Sequence, residues 1–311
     1  MKKALGFALA TLASFSLSTA YADNFPSKPI TVIVGYGAGG GTDAVVRALT
    51  EPLGKILNTT ILVQNVSGAG GGVAASRVAR SDADGYTLLA TTSSTFSLEP
   101  QAAKTAYKND DFQHIATIAQ FQGAMFAKSD KPYQTLPELV AIAKKENRPI
   151  KYASFFLVDK LVMNYIGKIE GVEMIPVPVK GGNGAVQAAL SGDVDIAYSG
   201  GSWAPHVQSG AAKALFATSY DRLLLAPNLV SMKDLGYPIG TTSYLTLSAP
   251  KGTPKAVVDK LAASVEQAMA VELVQKAATS RYMDGTFYGP VQTTQILKTE
   301  SDSFATMLKS Q

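Results

Sequence analysis

Apolar residues recur along this chain in two alternating rhythms. Short β-branched runs such as Ile30-Thr-Val-Ile-Val34 have the composition of buried strands. Longer stretches repeat their apolar positions every three or four residues, as helices do. A glycine-rich turn and a helical stretch over residues 42–57 follow the first run. Thr60-Ile-Leu-Val63 repeats the pattern, with a second glycine-rich turn at 68–72 and a small-residue helix running to Arg80. Asp82-Ala-Asp-Gly85 is a turn signal leading into a strand over 86–91. Thr135-Leu-Pro-Glu138 has the form of a capping box, opening a helix that turns Leu139 and Ile142 inward. Further strands are expected at 151–154, 173–177, 194–198 and 214–218. Thr253-Pro254 reads as an N-cap followed by proline at the first helical position. Its helix gathers Val258, Leu261, Val265, Ala268 and Met269 on one face. Strand and helix alternate throughout, which predicts an α/β fold with mostly parallel sheets.

Composition narrows the class. The 311 residues are 46% hydrophobic and 17% charged, which excludes disorder as the main state and exceeds the comfortable size of one core. There is no cysteine and there are two histidines, His114 and His206, so disulfides, thiol catalysis and thiolate metal sites are excluded. A net charge of +4 is nowhere gathered into a basic stripe, so no nucleic acid is expected as a partner. Lys2 and Lys3, the apolar or small run over 4–17 and Ala20-Tyr-Ala22 have the form of a secretory leader. The run is too short to span a bilayer. Residues 1–22 are therefore expected to be cleaved, leaving Asp23 as the first residue of an exported, periplasmic protein.

Few reaction chemistries survive inspection. Gly35-Tyr-Gly-Ala-Gly-Gly40 is a literal G-x-G-x-x-G after a strand, but the second strand ends in Gln64-Asn65, without the acid that would bind a ribose. No G-x-S-x-G elbow is present. Ser248-Ala-Pro-Lys251 has S-x-x-K spacing, yet its proline breaks the helical turn that spacing needs, and it reads as a strand end. His114 and His206 have no ligand-spaced companion and read as surface or lobe-edge residues, and Asp193-Val-Asp195 reads as a turn. No metal and no cofactor is expected. What remains is three glycine-rich helix openings, at 37–41, 68–72 and 181–184, whose free N–H groups attract carboxylates or phosphates. The hydroxyls of Thr91-Thr-Ser-Ser94 end a strand beside them.

In order and spacing, several segments resemble the Bug-type solute receptors of tripartite tricarboxylate transporters along nearly the whole chain. They include Pro26-Ser-Lys-Pro-Ile-Thr-Val-Ile-Val34, Gly39-Gly-Gly-Thr-Asp43 with Arg47, and Asn65-Val-Ser-Gly-Ala-Gly-Gly-Gly72. Ala83-Asp-Gly-Tyr-Thr-Leu-Leu89, Val177-Pro-Val-Lys-Gly181, Gly192-Asp-Val-Asp195, Ala217-Thr-Ser219 with Arg222, and Ala249-Pro-Lys-Gly-Thr-Pro254 complete the set.

The resemblance implies a two-lobed periplasmic binding protein, type II-like, with two chain crossovers near 122–124 and 243–245. Residues 23–123 and 245–311 would form the first lobe and 124–244 the second. It implies a monomer that captures a small organic carboxylate, without catalysis, and delivers it to membrane permease subunits. Ligand contacts would come from Tyr36, Gly37, Ala38 and Gly39 in the first loop, from Thr91, Ser93 and Ser94, and from Ser154 and Tyr198 in the second lobe.

Two departures from the family pattern stand out. Gly35 and Ala38 replace the prolines usual in the first loop, which predicts a less rigid loop. Phe155-Phe-Leu-Val-Asp159 replaces a small, Gly/Ser-rich turn. Phe155 and Phe156 would then line an apolar wall suited to an aromatic or medium-chain acid, with Asp159 accepting from an amine or hydroxyl. The alternative is that one ring packs into the lobe and Asp159 caps the next helix. An exported hydrolase or isomerase, or a protein presenting ligand to a sensor histidine kinase, are the competing functions.

Overall fold

The structure is a computed structural model that describes residues 25–309. The leader and its cleavage after Ala22 lie outside the described residues.

The first β-branched run forms β1 (Ile30–Val34), and the helical stretch after it forms α1 (Gly41–Leu57), with Val45, Val46, Leu49 and Leu53 buried against the sheet. The unit repeats as β2 (Ile61–Asn65), α2 (Gly72–Val78) and β3 (Thr87–Thr92). Two short turns of helix follow, α3 (Ser94–Ser97) and α4 (Glu99–Ala102). Then come the long β4 (Phe112–Phe121) and β5 (Ala124–Lys128). The middle of the chain supplies α5 (Leu136–Glu146), β6 (Ile150–Ser154), α6 (Leu157–Glu170) and β7 (Met174–Pro178). It continues with α7 (Gly181–Ser191), β8 (Ile196–Ser199), α8 (Ala204–Gln208) and β9 (Ala212–Ala217). The last elements are β10 (Tyr244–Pro250), α9 (Lys255–Met269), α10 (Glu272–Thr279), β11 (Met283–Asp284) and α11 (Pro290–Lys309).

The strands make two sheets, ordered β11-β4-β10-β3-β1-β2 and β7-β6-β8-β5-β9. In each, only the βαβ portion is parallel: β1 with β2 and β3, and β6 with β7 and β8. β10 runs antiparallel to both β3 and β4, and β5 runs antiparallel to both β8 and β9. The expectation of mostly parallel sheets is therefore corrected to mixed ones. The antiparallel strands β4, β5 and β10 are those that carry the chain between sheets. They enter without a crossover helix, so no right-handed βαβ connection forces them parallel.

Helix starts also need two corrections. Thr135 caps α5 as expected, accepting from Glu138 N at 3.3 Å, but Glu138 reaches Gln134 N rather than the cap residue, and Ile142 is only half-buried. Helix α9 begins one residue later than predicted: Pro254 is its cap residue, because the Thr253 hydroxyl donates backward to Pro250 O at 2.8 Å.

The crossing segments run side by side. Phe121 N donates to Ser243 O at 2.9 Å, Thr218 N to Gly123 O at 3.1 Å and Thr241 N to Thr218 O at 2.7 Å. Gln122 locks the first crossing, its carbonyl accepting from Trp203 Nε1 at 2.7 Å and its side chain from Leu225 N at 3.0 Å. Helix α11 links the sheets a third time. Leu297 packs with Ile33, Leu89 and Phe96 of the first half, whereas Phe304 and Met307 are buried in the core around Met125, Tyr152 and Leu161 of the second.

Candidate ligand-binding site

The three glycine-rich openings meet at one cleft of about 1170 Å3 between the sheets. Each follows the carboxyl end of a parallel strand: loop 35–40 after β1, loop 68–71 after β2, and residues 180–183 after β7. Ligands of open α/β sheets bind at such strand ends.

On the first side, the half-buried Tyr36 hydroxyl donates to Gly70 O at 3.1 Å and shares a 2.6 Å hydrogen bond with Thr92 Oγ1. Burial pushes that hydroxyl's pKa up. A ribbon of rings then crosses the cleft. Tyr36 meets Phe156 edge to face at 6.0 Å, Phe156 meets Phe155 at 4.4 Å, and Phe155 stacks on Tyr198 at 6.0 Å.

Helix electrostatics distinguish the openings. In α1, Asp43 takes Gly39 N at 2.8 Å, Arg47 Nε and Asn65 Nδ2. Burial works to raise its pKa, but these donors hold it below the usual carboxylate range. In α6, Asp159 takes Ser154 Oγ at 2.8 Å, Phe155 N at 2.9 Å and Phe156 N at 3.1 Å. Burial pushes the pKa of Asp159 up against the pull of these donors. Both helices thus carry their own acid. Helix α7 has no acid in its first turn, and Lys180 stands immediately before it. Its free N–H groups and the positive end of its dipole face the cleft uncompensated.

Of the residues singled out from sequence, Tyr36, Gly37, Ala38, Gly39, Ser94, Phe155, Phe156 and Tyr198 line the cleft. Thr91, Ser93, Ser154 and Asp159 do not, and each has an internal partner instead. Thr91 Oγ1 bonds Thr95 Oγ1 at 2.8 Å, and Ser93 Oγ donates to Glu300 at 2.8 Å while accepting from Tyr244 N. Thr92 and Ser94, their neighbours on the opposite face, are the ones that look into the cleft. Asp159 caps α6: its oxygens are taken by three donors, and it is 1% exposed. Asp159→Ala should lower stability by about 2 kcal/mol, since the cap and the Ser154 bond are lost together. A thermal melt checks this, and an unchanged Tm would mean that the cap is dispensable.

Sequence reasoning missed Glu99, Ser243, Arg281 and Tyr282, all of which line the cleft. Arg281 Nη1 donates to Gly39 O at 3.3 Å, and the Tyr282 hydroxyl donates to Leu225 O at 2.8 Å, so the 279–283 turn joins the two sides. Its only sequence signal was a lone Arg-Tyr pair outside any strand or helix pattern.

His206 lines the cleft edge as expected, but His114 is buried in β4, correcting the surface reading. Ser248 Oγ lies 2.9 Å from His114 Nδ1, whose Nε2 lies 3.1 Å from Asn109 Oδ1. The order Ser–His–Asn resembles a hydrolase relay. However, Ser248 is fully buried, Phe96 packs edge-on over the imidazole at 4.9 Å, and burial pushes the histidine's pKa down to about 4. Neither residue borders the cleft. The relay fills a core and meets no substrate.

Two α/β sheets joined by paired crossing segments, with a polar and aromatic cleft between them, define a two-lobed solute receptor of the periplasmic-binding-protein class. Residues 45–310 match the model of the tripartite tricarboxylate transporter family receptor (TctC), and the chain belongs to that family. It is a receptor, not an enzyme. It is 33% identical over 253 residues to a UPF0065 protein in the gbd 5′ region of Cupriavidus necator, covering 80% of this chain and 77% of that one. The structure of MatC from Rhodopseudomonas palustris with bound malate superposes with a TM-score of 0.78 at 27% identity, covering 91% of this chain and 99% of that one. The periplasmic binding protein BugD gives a TM-score of 0.77 at 28% identity, covering 92% of this chain and 98% of that one. Among the described residues, no helix is long and apolar enough to cross a membrane.

Proposed function

We propose that this protein captures a small organic carboxylate in the cleft between its sheets, outside the cytoplasm, and hands it to the membrane subunits of a tripartite transporter. The observation that carries the ligand class is the uncompensated opening of α7, where Lys180 and the N–H groups of Gly181, Gly182 and Asn183 meet the cleft. Of the other helices that open there, α1 and α6 already hold Asp43 and Asp159. The shorter α2 has no acid in its first turn but also no basic residue beside it, so we assign the ligand's acid to α7, where Lys180 adjoins the free N–H groups. The malate bound by MatC supports a carboxylate as the ligand class. Residues 23–123 with 245–311 would move as one lobe and 124–244 as the other, the end of α11 travelling with the second. The protein would act as a monomer.

The test is thermal unfolding of the ligand-stripped, refolded protein against citrate, C4–C10 dicarboxylates, aromatic acids and amino acids. A ligand at about 1,000 times its Kd adds about 4 kcal/mol. One class standing out supports the reading, and a flat panel with refolded protein removes it. Against that ligand, Phe155→Ala or Phe156→Ala should weaken binding about tenfold or more, since burying an aromatic contributes roughly 1.5–3 kcal/mol. Unchanged Kd in both variants, by calorimetry, would show that the rings pack only against the lobe.

A further inference from the structure

Among the described residues lining the cleft, Glu99 at the start of α4 is the sole carboxylate. It lies directly over loop 68–71: a Cβ placed on Gly70 would fall 2.4 Å from Glu99 Oε1. No hydrogen bond or ion pair satisfies it among the described residues, although almost every other buried or half-buried acid here has donors. Desolvation alone acts on it, and pushes its pKa up. The cations of the cleft are placed elsewhere, Lys180 before α7 and Arg281 against Gly39 O.

The corner around Glu99 holds hydrogen-bonded oxygens that offer it no donor, and Tyr36 is close enough to feel its charge. Gly70 O already receives Tyr36 and Thr95, and Thr92 Oγ1 bonds both Tyr36 and Ser94. Tyr36 leads onto the rings of Phe156 and Phe155. A second ligand carboxylate would meet repulsion here. A cation would meet the opposite: an unpaired carboxylate in a partly desolvated site, in a cleft also lined by Tyr36, Phe155 and Phe156, rings of the kind whose quadrupoles attract positive charge. The two sides of the cleft thus have opposite preferences, anion at α7 and cation at Glu99.

We propose that the ligand carries a cationic nitrogen, an ammonium or alkylammonium group, seated against Glu99 and the rings of Tyr36 and Phe156. The whole ligand is then a zwitterion, an amino- or alkylammonio-carboxylate, rather than a plain diacid. This rests on the carboxylate reading above, which supplies the other end.

Calorimetry on the ligand-stripped, refolded protein tests it with probes matched in length. For chains of four to six carbons, the diacid, the ω-amino acid, its N-trimethyl analogue and the simple alkylamine are compared on the native protein and on Glu99→Gln. The expected result is at least tenfold tighter binding of an ammonio-carboxylate than of the diacid of equal length. Glu99→Gln should erase that preference, weakening the zwitterion tenfold or more while leaving the diacid equal or tighter. With no internal partner to lose, the variant should melt as the native protein does. A diacid preferred over its amino partner, with affinities indifferent to Glu99→Gln, overturns the proposal while leaving the carboxylate reading standing. An alkylamine that binds as well as the amino acid overturns the zwitterion and the carboxylate reading together. Binding of neither type of probe to folded protein removes both.

Discussion

Phe304→Ala should destabilise the protein by about 3–5 kcal/mol, the range for truncating a fully buried Phe. Phe304 is 1% exposed and sits in the second core, on a helix whose earlier turns belong to the first. Thr293 Oγ1 pairs with Thr117 Oγ1 of β4 at 3.1 Å, and Leu297 packs against Ile33 and Leu89. Helix α11 is therefore anchored at one end in each half, and the Phe304 cavity opens at the second anchor. Because α11 straps the halves together on the side of the crossing segments, the damage should extend beyond local packing. Urea unfolding of the native chain should be a single transition, and Phe304→Ala should move its midpoint well down. A loss under about 1 kcal/mol would mean that the last turns of α11 are not held in the second core.

This strap is also where sequence reasoning stopped. Strands β1, β2, β3, β6, β7, β8 and β9 were legible because each is a short run rich in apolar or β-branched residues bounded by turn or helix signals. The crossing strand β10 was read only at its end, because it alternates apolar Leu245 and Leu247 with polar Thr246 and Ser248, as a half-exposed strand would. All four are buried, the hydroxyls being absorbed by Thr91 O and His114. A polar position satisfied by the neighbouring strand looks in sequence like one satisfied by water. Helix α11 left no mark of this kind either: nothing in the sequence around Leu297 and Phe304 says that the first packs in one core and the second in the other.

The site was half legible. Glycine-dense loops stand out because few other requirements produce Gly68 and Gly70 at φ +136° and +58°, and such loops belong at strand ends. Parity at the end of β3 did not stand out. Thr91 and Thr92 point to opposite sides of the strand, and Ser93 and Ser94 part in the same way because a turn of helix begins there, so one step separates a cleft donor from a core hydroxyl. Asp159 was open between two roles, and its place at the third position of α6 decides for the cap. Glu99 had no sequence mark at all. A single acid in a short turn of helix becomes notable only when the fold places it over a glycine loop without a donor.

Glu300→Gln should raise Tm at pH 8 by about 5 °C and change it little at pH 4.5. Glu300 is buried on α11, its oxygens 2.8 Å from Ser93 Oγ and 2.6 Å from Ser97 Oγ. Burial pushes its pKa up to about 7, against the pull of the Ser97 and Ser93 hydroxyls, and no basic group pairs with it among the described residues. The hydrogen count agrees with a neutral side chain. Ser97 has one hydroxyl proton and two acceptors in reach, Ser93 O at 3.0 Å and Glu300 Oε2. A protonated Oε2 donates to Ser97, freeing that proton for Ser93 O, while Ser93 donates to Oε1 and accepts from Tyr244 N at 3.0 Å. Gln reproduces the same pattern, its amide in place of the acid proton. The sign follows from linkage. Below the ordinary value of 4.5 both folded and unfolded chains hold the proton, and Glu300 adds no pH dependence. Between there and about 7 the unfolded chain ionises first, so stability falls as pH rises, by about 3 kcal/mol in all, and stays lowered above. At this chain length that amounts to a few degrees of Tm. Ser93 ties Tyr244, in the return crossing, to this acid, so ionisation loads that crossing. Tm profiles of the native protein and Glu300→Gln should converge at low pH and diverge above pH 6. Parallel profiles across the whole range would show that Glu300 titrates as an ordinary carboxylate and carries no such load.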